Sequence, residues 1–101
     1  MKRLYRSYSE STNIFKELEA KYPNYFKIES IGNTWENREI NLITISKDIK
    51  TADSRPALFY TGTIHAREWI GHELAIEFAI YVLKNLETDP TLQTYLNEST
   101  V

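Results

Sequence analysis

A short apolar run followed by a long apolar helix pattern most constrains how this chain can fold. Residues 57–62, with the sequence ALFYTG, are almost continuously apolar, which is typical of a strand in the middle of a parallel or mixed sheet. Residues 69–86 then follow a helical pattern whose polar side chains form one narrow stripe. That pattern predicts a helix that is buried on most sides. Because a central strand and a buried helix both need neighbours, these segments predict a layered α/β structure.

The hydrophobic period changes once in the first part of the chain. Residues 7–10, SYSE, match a helix-capping box, and apolar residues then recur at every fourth position until Pro23, so we predict a first helix. From Phe26 the period is two, and Gly32 with Asn33 indicates a turn. This alternation predicts a first strand.

Three further elements follow that turn. Residues 40–45 are β-branched and apolar on both faces, which predicts a second strand, paired with the first in a hairpin and covered on both sides. The charged residues 47–55 predict a surface loop. Asp89 followed by Pro90 predicts the start of a last short helix, because Asp caps helices and Pro suits the first helical position.

The order helix, strand, strand, strand, helix, helix predicts an α/β fold, with a partial mixed sheet and flanking helices. A length of 101 residues gives room for one small domain with one core. The central strand and the apolar helix need more covering than these few elements provide. We therefore expect the sequence to be the N-terminal part of a larger α/β domain.

Composition excludes several classes of function. The formal net charge is −2 and the basic residues are scattered, so the sequence predicts no nucleic-acid partner. No stretch is long enough to span a bilayer, and we predict no membrane partner. Residues 1–7 are basic but lack the apolar run of a signal peptide, so the compartment stays unknown. With no Cys and two His, any metal site must use His and carboxylates.

The residues with the clearest chemical potential are His65 and Glu68, at the predicted exit of the central strand. Imidazole nitrogen and carboxylate oxygen are standard zinc ligands, and a hydrolytic zinc site takes three protein ligands and a water. The spacing alone is weak, because His65 at a strand end and Glu68 in the first turn of a helix also suit a purely structural role. Position at a strand exit, with Arg67 between them, favours a site.

An alternative set would use His72 as a third ligand. If residues 64–73 formed one continuous helix, His65, Glu68 and His72 would fall within about 60° on one face. Against this, residues 61–63 have the pattern of a strand exit, which places His65 before the helix. A surface or partly buried helical histidine is the simpler interpretation of His72.

Two motifs resemble the zinc metallocarboxypeptidases of the carboxypeptidase A and carboxypeptidase T type. Residues 61–70, TGTIHAREWI, resemble their zinc-binding signature, and residues 31–40, IGNTWENREI, resemble their hairpin. The end of the first helix at Tyr22 and Pro23 is also similar. The resemblance implies that residues 1–101 are the N-terminal fragment of a single catalytic domain of that family, with a carboxypeptidase-like α/β fold.

The resemblance also implies roles for individual residues. His65 would be the first zinc ligand and Glu68 the second, and Arg67 would line the substrate cleft and contact peptide carbonyls. The alternative for Arg67 is a surface salt bridge. Trp35 and Trp69 are expected to pack in a core. Asn37 stands where the family often has Gly, which a turn tolerates because Asn also enters the left-handed region.

The implied function is zinc-dependent hydrolysis of the C-terminal residues of peptides or proteins by the full-length form. In the family, the third zinc ligand, the general base and the clamp for the terminal carboxylate lie downstream of the matched part, so no catalytic residue is assigned here and this piece alone is expected to be inactive. Members are often secreted. The alternative is a non-catalytic or degenerate carboxypeptidase-like module that serves binding or structure.

Overall fold

In the computed structural model, which describes residues 5–101, helix α1 spans Tyr8–Lys21 and begins at the predicted capping box. The Ser7 hydroxyl accepts a hydrogen bond from the Glu10 amide at 3.2 Å. The Glu10 carboxylate in turn accepts one from the Ser7 amide at 3.0 Å. These bonds satisfy amides that the helix itself cannot pair. Residues 1–4, part of the basic segment compared above with a signal peptide, lie outside the described residues.

The predicted hairpin is confirmed, but its turn lies further along the chain than predicted. Strand β1 (Phe26–Asn33) pairs antiparallel with β2 (Glu39–Ile45). Gly32 and Asn33 still belong to β1, where Gly32 has a φ of 153° and the register shifts. A glycine inside a strand marks such an irregularity as readily as a turn.

The turn of the hairpin lies at residues 34–37. The Asn37 amide donates to the Thr34 carbonyl at 2.9 Å, and Asn37 has a φ of 61°. The expectation that Asn37 enters the left-handed region is therefore confirmed. Trp35, at the tip, is fully exposed, so the expectation that it packs in a core is wrong for this chain. The buried residues of the hairpin, Phe26 and Ile45, pair with each other at the end opposite this tip.

The predicted surface loop contains a short 3-10 helix, Ile49–Ser54. Asp48 caps this helix by accepting a hydrogen bond from the Lys50 amide at 3.0 Å. Ala52 is buried within it, and its carbonyl accepts a hydrogen bond from the Thr100 hydroxyl at 2.8 Å. The segment is therefore partly docked on the body of the fold.

Residues 57–62, called the extended segment below, do not form the predicted third strand. Ala57 makes a single parallel bridge with Thr100, whose carbonyl accepts from the Leu58 amide at 2.7 Å. On its other side this chain end pairs with β2, because Ile45 and Val101 exchange two backbone hydrogen bonds. Residues 100 and 101 reach only the beginning of the extended segment, so no ladder continues to Gly62. Apart from this bridge, the regular sheet of the described residues is two-stranded and antiparallel.

Helix α2 (Ile70–Asn85) and helix α3 (Pro90–Glu98) complete the fold at the predicted places. The Asp89 carboxylate caps α3 by accepting from the Thr91 amide at 2.9 Å. The main core joins the hairpin to α2 and α3, with α1 packed against it. Its buried members are Phe26, Ile45, Ala79, Val82, Leu83, Leu86 and Leu96. This α/β arrangement of helices around a small sheet confirms the predicted fold class.

Helix α2 is buried on one side only, which differs from the prediction. Ile76 is completely buried, whereas Leu74, Phe78 and Tyr81 on the other side are 55%, 40% and 55% exposed. Phe78 stacks on Tyr60 of the extended segment, with ring centroids 6.4 Å apart. The apolar side chains that predicted general burial therefore form, in part, a face that the described residues cover only at Phe78. None of the helices in residues 5–101 is long and apolar enough to cross a membrane.

Candidate metal site

The predicted ligands lie in the turn formed by residues 64–69, between the extended segment and α2, which is called the ligand turn below. His65 and Glu68 both precede Ile70, the first residue of the helix. The Glu68 amide donates to the His65 carbonyl at 2.9 Å, which closes the turn. Residues 64–73 therefore do not form one continuous helix, and the arrangement that would have made His72 a third ligand is absent.

The two side chains meet at a separation that suits zinc. His65 Nδ1 and Glu68 Oε1 are 3.4 Å apart, and the side chains are 63% and 56% exposed. Zinc lies about 2.0–2.1 Å from nitrogen and about 2.0–2.2 Å from oxygen, so two ligands of a tetrahedral site stand about 3.4 Å apart. The pair fits one edge of such a tetrahedron. The same distance also allows an ion pair when His65 is protonated.

Other candidate groups do not join this pair. Within residues 5–101, no cluster of three or more His, Asp or Glu side chains is arranged to hold a metal. Arg67 is exposed and forms no ion pair with any residue of that part of the chain. The surface salt bridge that was the alternative for Arg67 is therefore not formed within residues 5–101, where its side chain is exposed.

The His72 side chain contacts the start of α1. Its Nε2 lies 2.7 Å from the hydroxyl of Ser11, a buried residue. His72 is thus a partly buried helical histidine that connects α2 to α1, as the simpler interpretation held. Trp69 is 57% exposed and packs edge-on against Tyr5, so its expected core position is wrong for this chain.

Arg6 links the segment before α1 to the first turns of α2. Its guanidinium donates to the carboxylate of Glu77 at 2.6 Å and to that of Glu73 at 2.7 Å. The hydrogen bond to Glu77, together with the negative charge of both carboxylates, raises the pKa of Arg6 against the opposing effect of burial. Arg6 therefore stays cationic and holds the chain next to the beginning of α2.

Sequence reasoning missed the residues that fix the turn on α2. Thr63 has a φ of 58°, and a β-branched residue in the left-handed region costs of order 1–3 kcal/mol. Its hydroxyl donates to the Glu68 carbonyl at 3.0 Å and accepts from the His72 amide at 2.9 Å. The available signal was a threonine just before the ligand pair. It has no distinctive spacing, so the sequence alone does not reveal it.

Two glycines allow the extended segment to cross α2 at close range. A Cβ on Gly62 would meet the Gly71 carbonyl oxygen, and one on Gly71 would lie 2.8 Å from the Thr63 amide nitrogen. Real Cβ atoms do not approach backbone so closely, so both positions require glycine. The crossing places the ligand turn directly on the N-terminal end of α2.

Comparison with known proteins gives one consistent family. The family model described as zinc carboxypeptidase matches residues 11–101. The chain is 28% identical to carboxypeptidase A2 of Rattus norvegicus over 92% of its own length and 22% of that protein's. It is 34% identical to carboxypeptidase D of Mus musculus over 69% of its length and 5% of that protein's.

A solved structure shows the same fold. The crystal structure of thrombin activatable fibrinolysis inhibitor (TAFI) superposes with a TM-score of 0.85 at 23% identity, covering 95% of this chain and 23% of that one. The chain thus spans about a fifth of the length of carboxypeptidase A2 and about a quarter of this structure. Since the family model covers nearly the whole sequence, the chain belongs to the zinc carboxypeptidase family.

Proposed function

We propose that residues 1–101 are the N-terminal part of a single zinc carboxypeptidase catalytic domain, which in full-length form hydrolyses C-terminal residues of peptides or proteins. His65 and Glu68 would supply two of its three zinc ligands. The observation that carries this proposal is the 3.4 Å separation of His65 Nδ1 and Glu68 Oε1 in one exposed turn. It matches the edge of a tetrahedral zinc site, and family membership makes zinc the expected ion.

The two ligands would hold the zinc ion and orient it toward the substrate. When bound, zinc would polarise a substrate carbonyl and lower the pKa of a bound water toward about 7. His65 and Glu68 would hold the ion at the exposed turn, where a peptide has access to it. Within residues 5–101, no other side chain or backbone group forms a hydrogen bond with the His65 or Glu68 side chain. No such bond would therefore compete with zinc for their metal-binding atoms.

Arg67 would bind substrate. Arg67 lies between the two ligands in sequence, and its side chain is exposed and free of ion pairs within the described residues. A guanidinium with five donors can hydrogen-bond peptide carbonyl oxygens, and no carboxylate of residues 5–101 has to be displaced first. The proposed substrate is therefore a peptide or protein C-terminal segment that lies across this turn.

The 101-residue chain by itself should be inactive. General-base catalysis needs a carboxylate near the reacting water, and Glu68 cannot serve as ligand and base together. The open face of α2 at Leu74, Phe78 and Tyr81 supports the same conclusion, because exposed apolar patches of this kind mark surfaces that other protein covers. We propose that a further part of the catalytic domain covers it and completes the site.

Zinc titration of this chain tests the ligand assignment. We expect weak binding, because two protein ligands hold the ion less well than three. The chemical shifts of the His65 ring in NMR spectra measure this binding. His65→Ala and Glu68→Ala should each abolish these shifts or move them beyond the measurable range. His72→Ala is the matched control, because His72 points toward Ser11, and it should leave binding unchanged.

Three binding results would contradict the proposal. Binding that survives both ligand substitutions, or that disappears in the His72 variant, would refute the assignment. Tight binding by the 101-residue chain would also contradict it, because a complete site would then have to exist within this sequence. If no zinc binds even to a longer chain that continues this reading frame, the non-catalytic alternative is supported instead.

A further inference from the structure

Thr63 combines an unfavourable backbone conformation with two well-made hydrogen bonds. It has a φ of 58°, a region that β-branched residues rarely adopt. A surrounding network must therefore hold it there. The hydroxyl carries one proton, which it donates to the Glu68 carbonyl at 3.0 Å, and its oxygen accepts from the His72 amide at 2.9 Å.

These two bonds connect the ligand turn to helix α2. Trp69, which precedes the helix, makes no side-chain capping hydrogen bond. The Thr63 hydroxyl instead accepts from the amide of His72 in the first turn at 2.9 Å, beside a longer bond from the same amide to the Trp69 carbonyl at 3.2 Å, in the manner of a cap supplied from outside the helix. Its other bond fixes the carbonyl of Glu68. The hydroxyl thus supports the position of Glu68 at the start of α2, together with the backbone bond from the Gly71 amide to the same carbonyl at 3.3 Å.

The ligand side chains need such support because packing does not restrain them. The side chains of His65 and Glu68 are 63% and 56% exposed. Within residues 5–101, the position of each of these two side chains therefore depends on the backbone of the ligand turn. A ligand pair keeps its metal-binding separation only if the groups that carry it are held from outside.

We propose that Thr63 is a positioning residue for the zinc site, with its hydroxyl holding the turn so that His65 and Glu68 stand at metal-binding separation. This inference rests on the proposed function. It adds a residue that makes no contact with the metal. The left-handed conformation of Thr63 aims the hydroxyl at both partners, and the two bonds compensate the strain.

The test compares substitutions at Thr63 by zinc titration of the 101-residue chain, followed by NMR. Thr63→Val keeps the branched shape and removes the hydroxyl, and we expect about tenfold weaker binding, the size of effect seen for supporting residues of metal sites. Thr63→Ser keeps the hydroxyl and should bind within about twofold of the unmodified chain. Thr63→Gly relieves the backbone strain without a hydroxyl and should resemble the Val variant.

Thr61→Val is the matched control, because Thr61 is exposed and its hydroxyl bonds to none of the described residues. It should bind zinc as the unmodified chain does. Amide exchange adds a readout independent of zinc. The His72 amide should lose part of its protection in the Val variant, where only the bond to the Trp69 carbonyl remains, and keep it in the Ser variant, while core amides such as those of Val82 and Leu83 stay unchanged.

The outcomes separate this inference from the proposed function. Equal zinc affinity of the Val and Ser variants, in a chain whose binding requires His65 and Glu68, overturns the role of Thr63 alone. Lost protection throughout the core of the Val variant also overturns it, since the effect would then be one of folding. Binding that survives His65→Ala and Glu68→Ala overturns the proposed function and this inference together.

Discussion

The Ser11 hydroxyl lies 2.7 Å from Nε2 of His72 and donates its own proton to the Ser7 carbonyl at 2.8 Å. Because a serine hydroxyl has only one proton, it must accept from His72, which assigns a proton to Nε2. The contact joins the first turn of α1 to the first turn of α2.

Ser11→Ala should therefore lower stability. The substitution leaves the Nε2 proton of a partly buried histidine without its partner, and we expect the free energy of unfolding to fall by about 1–3 kcal/mol. Urea unfolding measures it. Ser9→Ala, an exposed position on the same helix, should change stability by less than about 0.5 kcal/mol. Equal effects at the two positions would show that the contact with His72 contributes nothing.

The crossing of two glycines gives a second prediction. Gly71→Ala would place a methyl group 2.8 Å from the Thr63 amide nitrogen. In an ordinary helix, Ala is favoured over Gly by about 0.5–1 kcal/mol. We expect the opposite sign here, a loss of about 1–3 kcal/mol, because the backbones must separate. Thermal unfolding with an unchanged or higher midpoint in the Ala variant would exclude the close approach.

The phenol of Tyr25 gives a prediction about pH. Burial, and then the negative charge and hydrogen bond of Glu87, raise the pKa of Tyr25 above its ordinary value. The folded state therefore retains this proton better than the unfolded state. Its contribution to stability is complete below the ordinary tyrosine pKa of about 10 and disappears as pH rises through the higher value of the folded chain.

NMR titration of the Tyr25 ring checks this behaviour. Glu87→Gln removes the charge and should lower the pKa of Tyr25 part of the way toward the ordinary value. The remainder should persist, because burial is the largest single cause of the raised pKa and does not depend on Glu87. Tyr25 ionising at the ordinary pKa in the unmodified chain, or a complete return in the Gln variant, would contradict this order of causes.

The two sides of α2 should respond differently to truncation. Ile76 is completely buried, so Ile76→Ala removes packed atoms and should cost about 2–5 kcal/mol. Leu74 is 55% exposed, and Leu74→Ala should cost less than about 1 kcal/mol in this chain. In a longer chain that covers this face, the cost of Leu74→Ala should rise. Similar costs for the two variants in the 101-residue chain would contradict an open face.

Local signals predicted most of the fold. The capping box at Ser7, the alternation after Phe26 and the Asp89 cap each specify their element through contacts made within a few residues. Their helices and strands are found where predicted. The hairpin turn was misplaced because Gly32 serves equally well in a turn and in an irregular strand, and only the pairing of both strands distinguishes the two.

The errors arise where structure depends on distant partners. Residues 57–62 have the composition of a central strand, but a strand exists only beside neighbours, and Thr100 reaches only its beginning. The apolar pattern of α2 likewise predicted burial that Leu74 does not have in this chain. For the site, the motif identified His65 and Glu68 as one unit and the structure places them together. The motif could not reveal the proposed positioning role of Thr63, because that role depends on the positive φ angle of this residue.

The hydrogen bonds that hold the ligand turn connect residues close in sequence. The bond from the His72 amide to the Thr63 hydroxyl joins residues nine positions apart in the sequence. The bond from the Glu68 amide to the His65 carbonyl joins residues only three positions apart. Forming such contacts costs little loop-closure entropy, which grows with the length of chain that must be brought together. His65 and Glu68 can therefore come together early in folding, through contacts between residues that are close in sequence. A ligand arriving from a remote segment would meet two donors already in place and would bear only its own entropic cost of closure.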